Sequence, residues 1–444
     1  MDKLSLVARP FGAICCLTSC LLGVIGCGDD GGASDGAVPD ASSMDASRGD
    51  SSTPRVDGGP ACIDCGPCID GDTPSAFEQT LIELTPQTWF EAPSSHLRDV
   101  CVPDSVGVRG VVGCAGIVDA WGGGAYDSAR RRMIVWGGGH DDYWGNELYG
   151  FDLRTGTWSR LTEPSVIPAG VDRDDFLSRD PLPDGQPVSR HTYDGVEFLG
   201  DLDLLWAQGG SRARDGASTN VTWVFDASAW AQRASGPGGY GLASAYDPSS
   251  RQVFAMAAET LHIYDVDGDA WSEAPGFGYA PLWPRYAVGG DRTGEVDPTR
   301  RLFWAVGNGL VLVWDIDAGR AVTDDWVTTG GGAYSNADAV GDRADQLFES
   351  GGGAVYDVPA PGFAYDTAAD DFVAWPNAGA PYALDLETRT WSLGGADGAP
   401  TSETSGGTYG RWRYVAAYNV FILVNSVDEN VYFYKHTSGC GLAS

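Results

Sequence analysis

Short runs of apolar or alternating residues, each cut off by glycine and aspartate, recur along most of this chain. The clearest unit spans residues 123–161. Residues 132–136 are an apolar run that stops at Gly137-Gly138. Residues 146–153 follow, with aromatic Tyr149 and Phe151 on alternate positions. Turn-forming residues 152–156 come next, and Thr157-Trp158 opens a third run. Runs this short, bounded by such residues, predict antiparallel strands and not helices, because strand side chains alternate between two faces.

The unit returns. A second copy begins at His191-Thr192-Tyr193-Asp194, passes through 202–207 to Gly209-Gly210, and continues with 221–226 and Trp230. A third uses 244–247, 251–256, 261–265 and Trp271, and a fourth uses 301–307, 310–315 and Trp326. The fifth runs through 363–366, 371–375, 382–385 and Thr390-Trp391. In the sixth, Arg413-Tyr414 leads to 421–424 and 431–434, where no Trp-bearing outer run follows. An orphan Thr88-Trp89 lies in 79–92, before any complete unit. A repeated hairpin unit predicts an all-β propeller, and the orphan strand would complete the last blade and close the ring. Closure removes the open sheet edges that invite aggregation. The count is six blades, with loop length at 92–115 and 329–352 sufficient to hold a seventh.

The double glycine, the Tyr-Asp before a turn and the spaced Trp make residues 78–436 resemble the Kelch-type propellers. Only the first two copies keep the Gly-Gly, so the other blades rest on strand pattern and Trp spacing. The resemblance implies the galactose-oxidase-like superfamily, whose copper enzymes need an adjacent Tyr-His pair. The five histidines here (His96, His140, His191, His262, His436) each follow a residue other than Tyr. A copper oxidase is therefore rejected, and no cofactor is expected.

Composition changes the picture at the N-terminus. Lys3 and Arg9 precede an apolar stretch too short to span a bilayer as a helix, and it ends in Val24-Ile25-Gly26-Cys27. This resembles a bacterial lipobox, which implies that 1–27 is a lipoprotein signal peptide and that Cys27 is acylated. Residues 28–75 hold ten Asp and two Arg, without Phe, Trp or Tyr. Such a segment buries too little apolar surface to offset its ordering entropy, so a disordered tether is expected, with the propeller domain at 76–444. The expected address is the bacterial cell envelope, with membrane contact through the lipid anchor only.

The formal net charge of −33 disfavours nucleic acid as a partner and favours a soluble monomer. Beyond Cys27 the mature chain has Cys62, Cys65, Cys68, Cys101, Cys114 and Cys440. An even set outside the cytoplasm favours disulfides over zinc, and no His accompanies the Cys62–Cys65–Cys68 triplet. Cys101 with Cys114, and Cys440 with one of the triplet, are the expected pairs. Asp265-Val266-Asp267-Gly268-Asp269 resembles a calcium loop in composition, but it falls where the other blades have a tight turn and reads as one.

The scarce positive charge gathers where inner strands should begin, at one mouth of the ring. Arg190, His191 and Tyr193, then Arg285 and Tyr286, then Arg411 and Arg413 occupy those starts. Asp119 and Trp121 join them from the first blade, and His140 sits in the loop after its double glycine. Arg suits carboxylate recognition and aromatic faces suit sugar rings. Arg190, Arg285, Tyr286, Arg411, Arg413 and Trp121 are thus candidate ligand-binding residues. Bonding of the arginines to backbone carbonyls, bracing the ring, is the alternative. His140, His191 and Tyr193 are candidate acid–base groups. No metal site is assigned, since His140 with adjacent Asp141 and Asp142 is a weak ligand set. The leading function is a ligand-binding or interaction module for polysaccharide or an envelope protein. An Arg/His/Tyr lyase on acidic polysaccharide is second, and a purely structural envelope protein third.

Overall fold

The computed structural model describes residues 73–257, 260–275, 290–308, 310–322, 353–388 and 390–439. Six four-stranded antiparallel sheets form a six-bladed β-propeller. The innermost strands are Gly123–Asp127, Val196–Leu199, Ala243–Asp247, Thr293–Asp297, Gly362–Asp366 and Trp412–Val415. The loop at 92–115 carries short helical turns, not strands, and Cys101 is bonded to Cys114 across it. Closing a loop of that length contributes about 3 kcal/mol in the chain-entropy account. Residues 1–72, with Cys27 and the Cys triplet, lie outside the described residues, as do 329–352, Trp326 and Cys440.

Alternation explains the closing strand. Thr88–Glu91 pairs antiparallel with Tyr432–Lys435, placing Trp89 opposite Tyr434 and Phe90 opposite Phe433. On one face Trp89 meets Tyr434 at 5.1 Å and Trp412 at 5.7 Å between ring centroids. On the other, Phe90 and Phe433 pack with Phe77 of the short helix Ala76–Ile82. A capping box between Ser75 and Glu78 starts that helix.

The Tyr-Asp motif has a mechanical meaning. Asp127, Asp247, Asp297 and Asp366 end their inner strands fully buried. Each accepts a backbone N–H three residues on, from Arg130, Ser250, Arg300 and Ala369, which folds the turn. The turn then closes on a left-handed residue, with φ from 50° at Asn419 to 62° at Asp370 across the six blades. Arginines in these turns also latch neighbouring blades. Arg130 reaches Asp203, Arg301 reaches Asp247, and Arg300 reaches Asp370.

Inner strands approach closely enough that some positions admit only glycine. A Cβ on Gly123 would lie 2.0 Å from the Tyr193 carbonyl oxygen of the next blade. Side chains link four further seams: Ser244 donates to the Asp194 carbonyl, Thr293 to the Pro361 carbonyl, Trp412 to the Val373 carbonyl, and Arg411 to the Gly122 carbonyl. Among the described residues seven Trp rings, including Trp136, Trp206 and Trp304, are fully buried within and between the blades.

Two blades begin elsewhere than their sequence copies suggest. The second starts at Val196, while Arg190–His191 pairs with Ser211–Arg212 in a separate two-stranded ribbon. A turn in which the Gly195 N–H donates to the Thr192 carbonyl separates the two. The fourth has its inner strand at Thr293–Asp297, where Val296 is the single large apolar residue, and its outer strand at Arg320–Ala321. The Asp265–Asp269 segment is a turn: Asp265 accepts from the backbone of Asp267 and Gly268, and Asp267 pairs with Arg251.

Candidate functional site

The ribbon and the glycine-rich loop of the first blade are docked to each other. Gly139 donates to the Tyr143 carbonyl and the Ser189 hydroxyl, and the His140 N–H donates to the Arg212 carbonyl at 2.9 Å. Gly139 has φ +83°, and a Cβ there would lie 2.4 Å from the His191 nitrogen. This contact brings the histidine loop against His191.

His191 is the hub. Its Nε2 lies 2.9 Å from Asp142 Oδ2. Its ring centroid is 5.0 Å from Trp121, 5.8 Å from His140 and 6.0 Å from Tyr193. Tyr193 packs edge-on against Tyr409, whose hydroxyl donates to Asp291 at 2.9 Å. Trp121, His140, Asp141, Tyr193 and Tyr409 all have positive φ. His140 and Asp141 take it inside the tight turn that the Asp142 N–H closes on the Gly139 carbonyl; for a bulky side chain outside such a turn it costs of order 1–3 kcal/mol. His140 is exposed and Trp121 is 39% exposed, so the cluster opens outward.

Burial lowers the pKa of His191; Asp142 opposes that shift and His140 adds to it. The ring is thus held neutral near pH 7, with Nε2–H donating to Asp142 and a lone pair on Nδ1. Burial, then Asp291 and Tyr240, raise the pKa of Tyr193, so its hydroxyl keeps its proton. Neutral donors and acceptors beside an indole face suit a polar ring ligand, and a neutral imidazole beside a phenol suits proton transfer.

The arginines stand differently. Arg190 is fully buried, ion-paired with Asp180 at 2.7 Å and bonded to the carbonyls of Val188 and Gly209. Arg411 is also fully buried and donates to the carbonyls of Gly122, Val424 and Gly407. Arg413 lies in the ring centre, bonded to the carbonyls of Gly124 and Val196 and to Glu197 at 3.1 Å. Asp194 at 3.9 Å and Glu295 at 4.0 Å surround it. All three arginines brace the ring and turn away from the His191 cluster. Arg285 and Tyr286 lie outside the described residues.

His140, His191, Tyr193 and Trp121 are therefore brought together, and Arg190, Arg411 and Arg413 are not part of that group. Asp142, Asp291, Tyr240 and Tyr409 join it without having been singled out as ligand or acid–base residues. Asp141 is held by Arg214 and by the Trp144 indole N–H. Among the described residues no three His, Cys, Asp or Glu side chains converge as a metal site. A concavity at the disulfide loop, lined by Arg98, Asp104 and Arg109, has its arginines paired with Asp428 and Asp104. Compared with protein-family models and with curated proteins, the chain matches none.

Proposed function

We propose that the mouth centred on His191 holds a sugar ring, and that the protein is a glycan-binding propeller of Kelch type displayed on a lipid-anchored tether outside the cytoplasm. The observation that carries this reading is the exposed Trp121 indole, itself at a positive φ, set against the His191–Asp142 pair. An indole face stacks on the apolar face of a sugar, while Tyr193, His191 and His140 offer hydrogen bonds at its rim. The lipobox-like Cys27 and the acidic segment after it supply the address.

The test is retention of the full chain on a panel of immobilised glycans, for the native protein and for Trp121→Ala. Retention should fall at least about tenfold in the variant, as loss of a stacking aromatic at a ligand's centre does, with the thermal unfolding midpoint little changed. Equal retention by both proteins would place the ligand elsewhere.

The His191–Asp142 pair favours a second reading, an acid–base enzyme with His191 as base and Tyr193 as acid. Chain shortening of a polysaccharide with an unsaturated end, abolished in His191→Gln, would establish it; intact glycan throughout would leave binding alone.

A further inference from the structure

We propose that the sugar taken at this mouth bears an amine, and that its ammonium sits against the carboxylate of Asp291 beside Tyr193 and Tyr240. This rests on the sugar-binding reading above and names the chemistry of its ligand.

Polarity points first. Asp142 uses one oxygen on His191 and Asp291 uses one on Tyr409. The other oxygen of each has no hydrogen bond among the described residues. Arg190 is committed to Asp180, Arg214 to Asp141 and Asp174, Arg212 to Asp215 and Arg413 to Glu197, and Arg292 beside Asp291 is buried. His191 is held neutral. A uronate would bring its carboxylate against Asp142 and Asp291 with these cations already engaged, and like charges so placed repel.

An unmet group points the same way. Tyr193 is 8% exposed as a residue, but its hydroxyl is not among the buried unpaired atoms and is open to solvent. It lies close enough to Asp291 and Tyr240 to feel both. A hydroxyl open to water and without a protein partner can bond a ligand atom in water's place. Around it stand Tyr409, the exposed Tyr240 and, across His191, the exposed Trp121. Aromatic faces joined to carboxylates favour an ammonium through the ring quadrupole as well as through charge.

The experiment is calorimetric titration of the full chain with three oligomers: glucosamine, its N-acetylated counterpart and a uronate. The first two share a backbone and differ in one charge per ring. The free amine should bind at least about tenfold more tightly than the acetylated form, equivalent to about 1.4 kcal/mol. Asp291→Asn, which keeps an acceptor for Tyr409, should bring that ratio to about one, a loss of about tenfold, the least that one charged hydrogen bond contributes. Equal or tighter binding of the acetylated sugar would overturn the amine inference and leave the sugar site standing. Tighter binding of the uronate would overturn it too. A preference for the amine that survives both Trp121→Ala and Asp291→Asn would be attraction to the acidic surface at large, and would also overturn it. No binding of any sugar would sink the sugar site itself.

Discussion

At the scale of single residues, the scarce arginines and the histidines beside them divide cleanly by role. Arg411 satisfies the carbonyls of Gly122, Gly407 and Val424 inside the ring. Replacing it by Leu leaves those acceptors buried without a donor, at about 1–3 kcal/mol each. Denaturant unfolding of Arg411→Leu should therefore show a loss of about 3 kcal/mol or more, and a loss below about 1 kcal/mol would contradict the bracing role. Glu197, beside Arg413, is pushed up to about 7 by burial. In the unfolded chain a Glu titrates near about 4.3. Between those values the folded protein keeps a proton that the unfolded chain has released, so stability falls as pH rises through that window. Asp194 and Glu295 are also raised, chiefly by burial. Glu197→Gln should accordingly flatten the decline in urea midpoint between pH 5 and pH 7.5 without abolishing it, and an unchanged slope would count against the assignment. The sequence placed His191, Tyr193, Trp121 and His140 near one another because each sits at a predicted strand start or beside the double glycine. It left the direction of each guanidinium open, since a bracing Arg and a ligand-binding Arg have the same spacing. Tyr409 and Asp291 carried no signal of their own, because their contact spans 118 residues of sequence.

At the scale of elements, legibility followed apolar content. Ala243–Asp247 and Gly362–Asp366 stand out because a buried aromatic or apolar residue precedes a Tyr-Asp turn. Thr293–Asp297 carries the same terminal Asp but only one large apolar side chain, and the ring centre supplies its environment from other blades. The Arg190–His191 ribbon could not be told from an inner strand, because two paired residues leave no period to read. The closing strand was legible, since Thr88-Trp89 repeats the outer-strand motif without its blade. Its removal makes the strongest element-level prediction. Deleting 76–92 leaves Tyr432–Lys435 as an open edge and strips Trp412 of Trp89 and Phe433 of Phe77 and Phe90. Size-exclusion chromatography of that deletion should show aggregates where the parent runs as one species. A deletion that stayed monodisperse with the parent's unfolding midpoint would contradict closure by this strand.

At the scale of the whole molecule, six blades latched at their seams form a rigid ring, and Trp121, Tyr193 and Tyr409 hold positive φ at one mouth. Rigid scaffolds present function on loops in this way, because the ring over-determines conformations that an isolated loop would not hold. The central claim is that ligand occupies this mouth. It is tested most directly by hydrogen–deuterium exchange of the full chain, with and without the glycan that it retains best. New protection is predicted at 121–123, 139–143, 190–194, 240, 291 and 409 and nowhere else. Protection at the disulfide loop around Val111 or at the outer-strand residue Leu393, with the mouth unchanged, would contradict it.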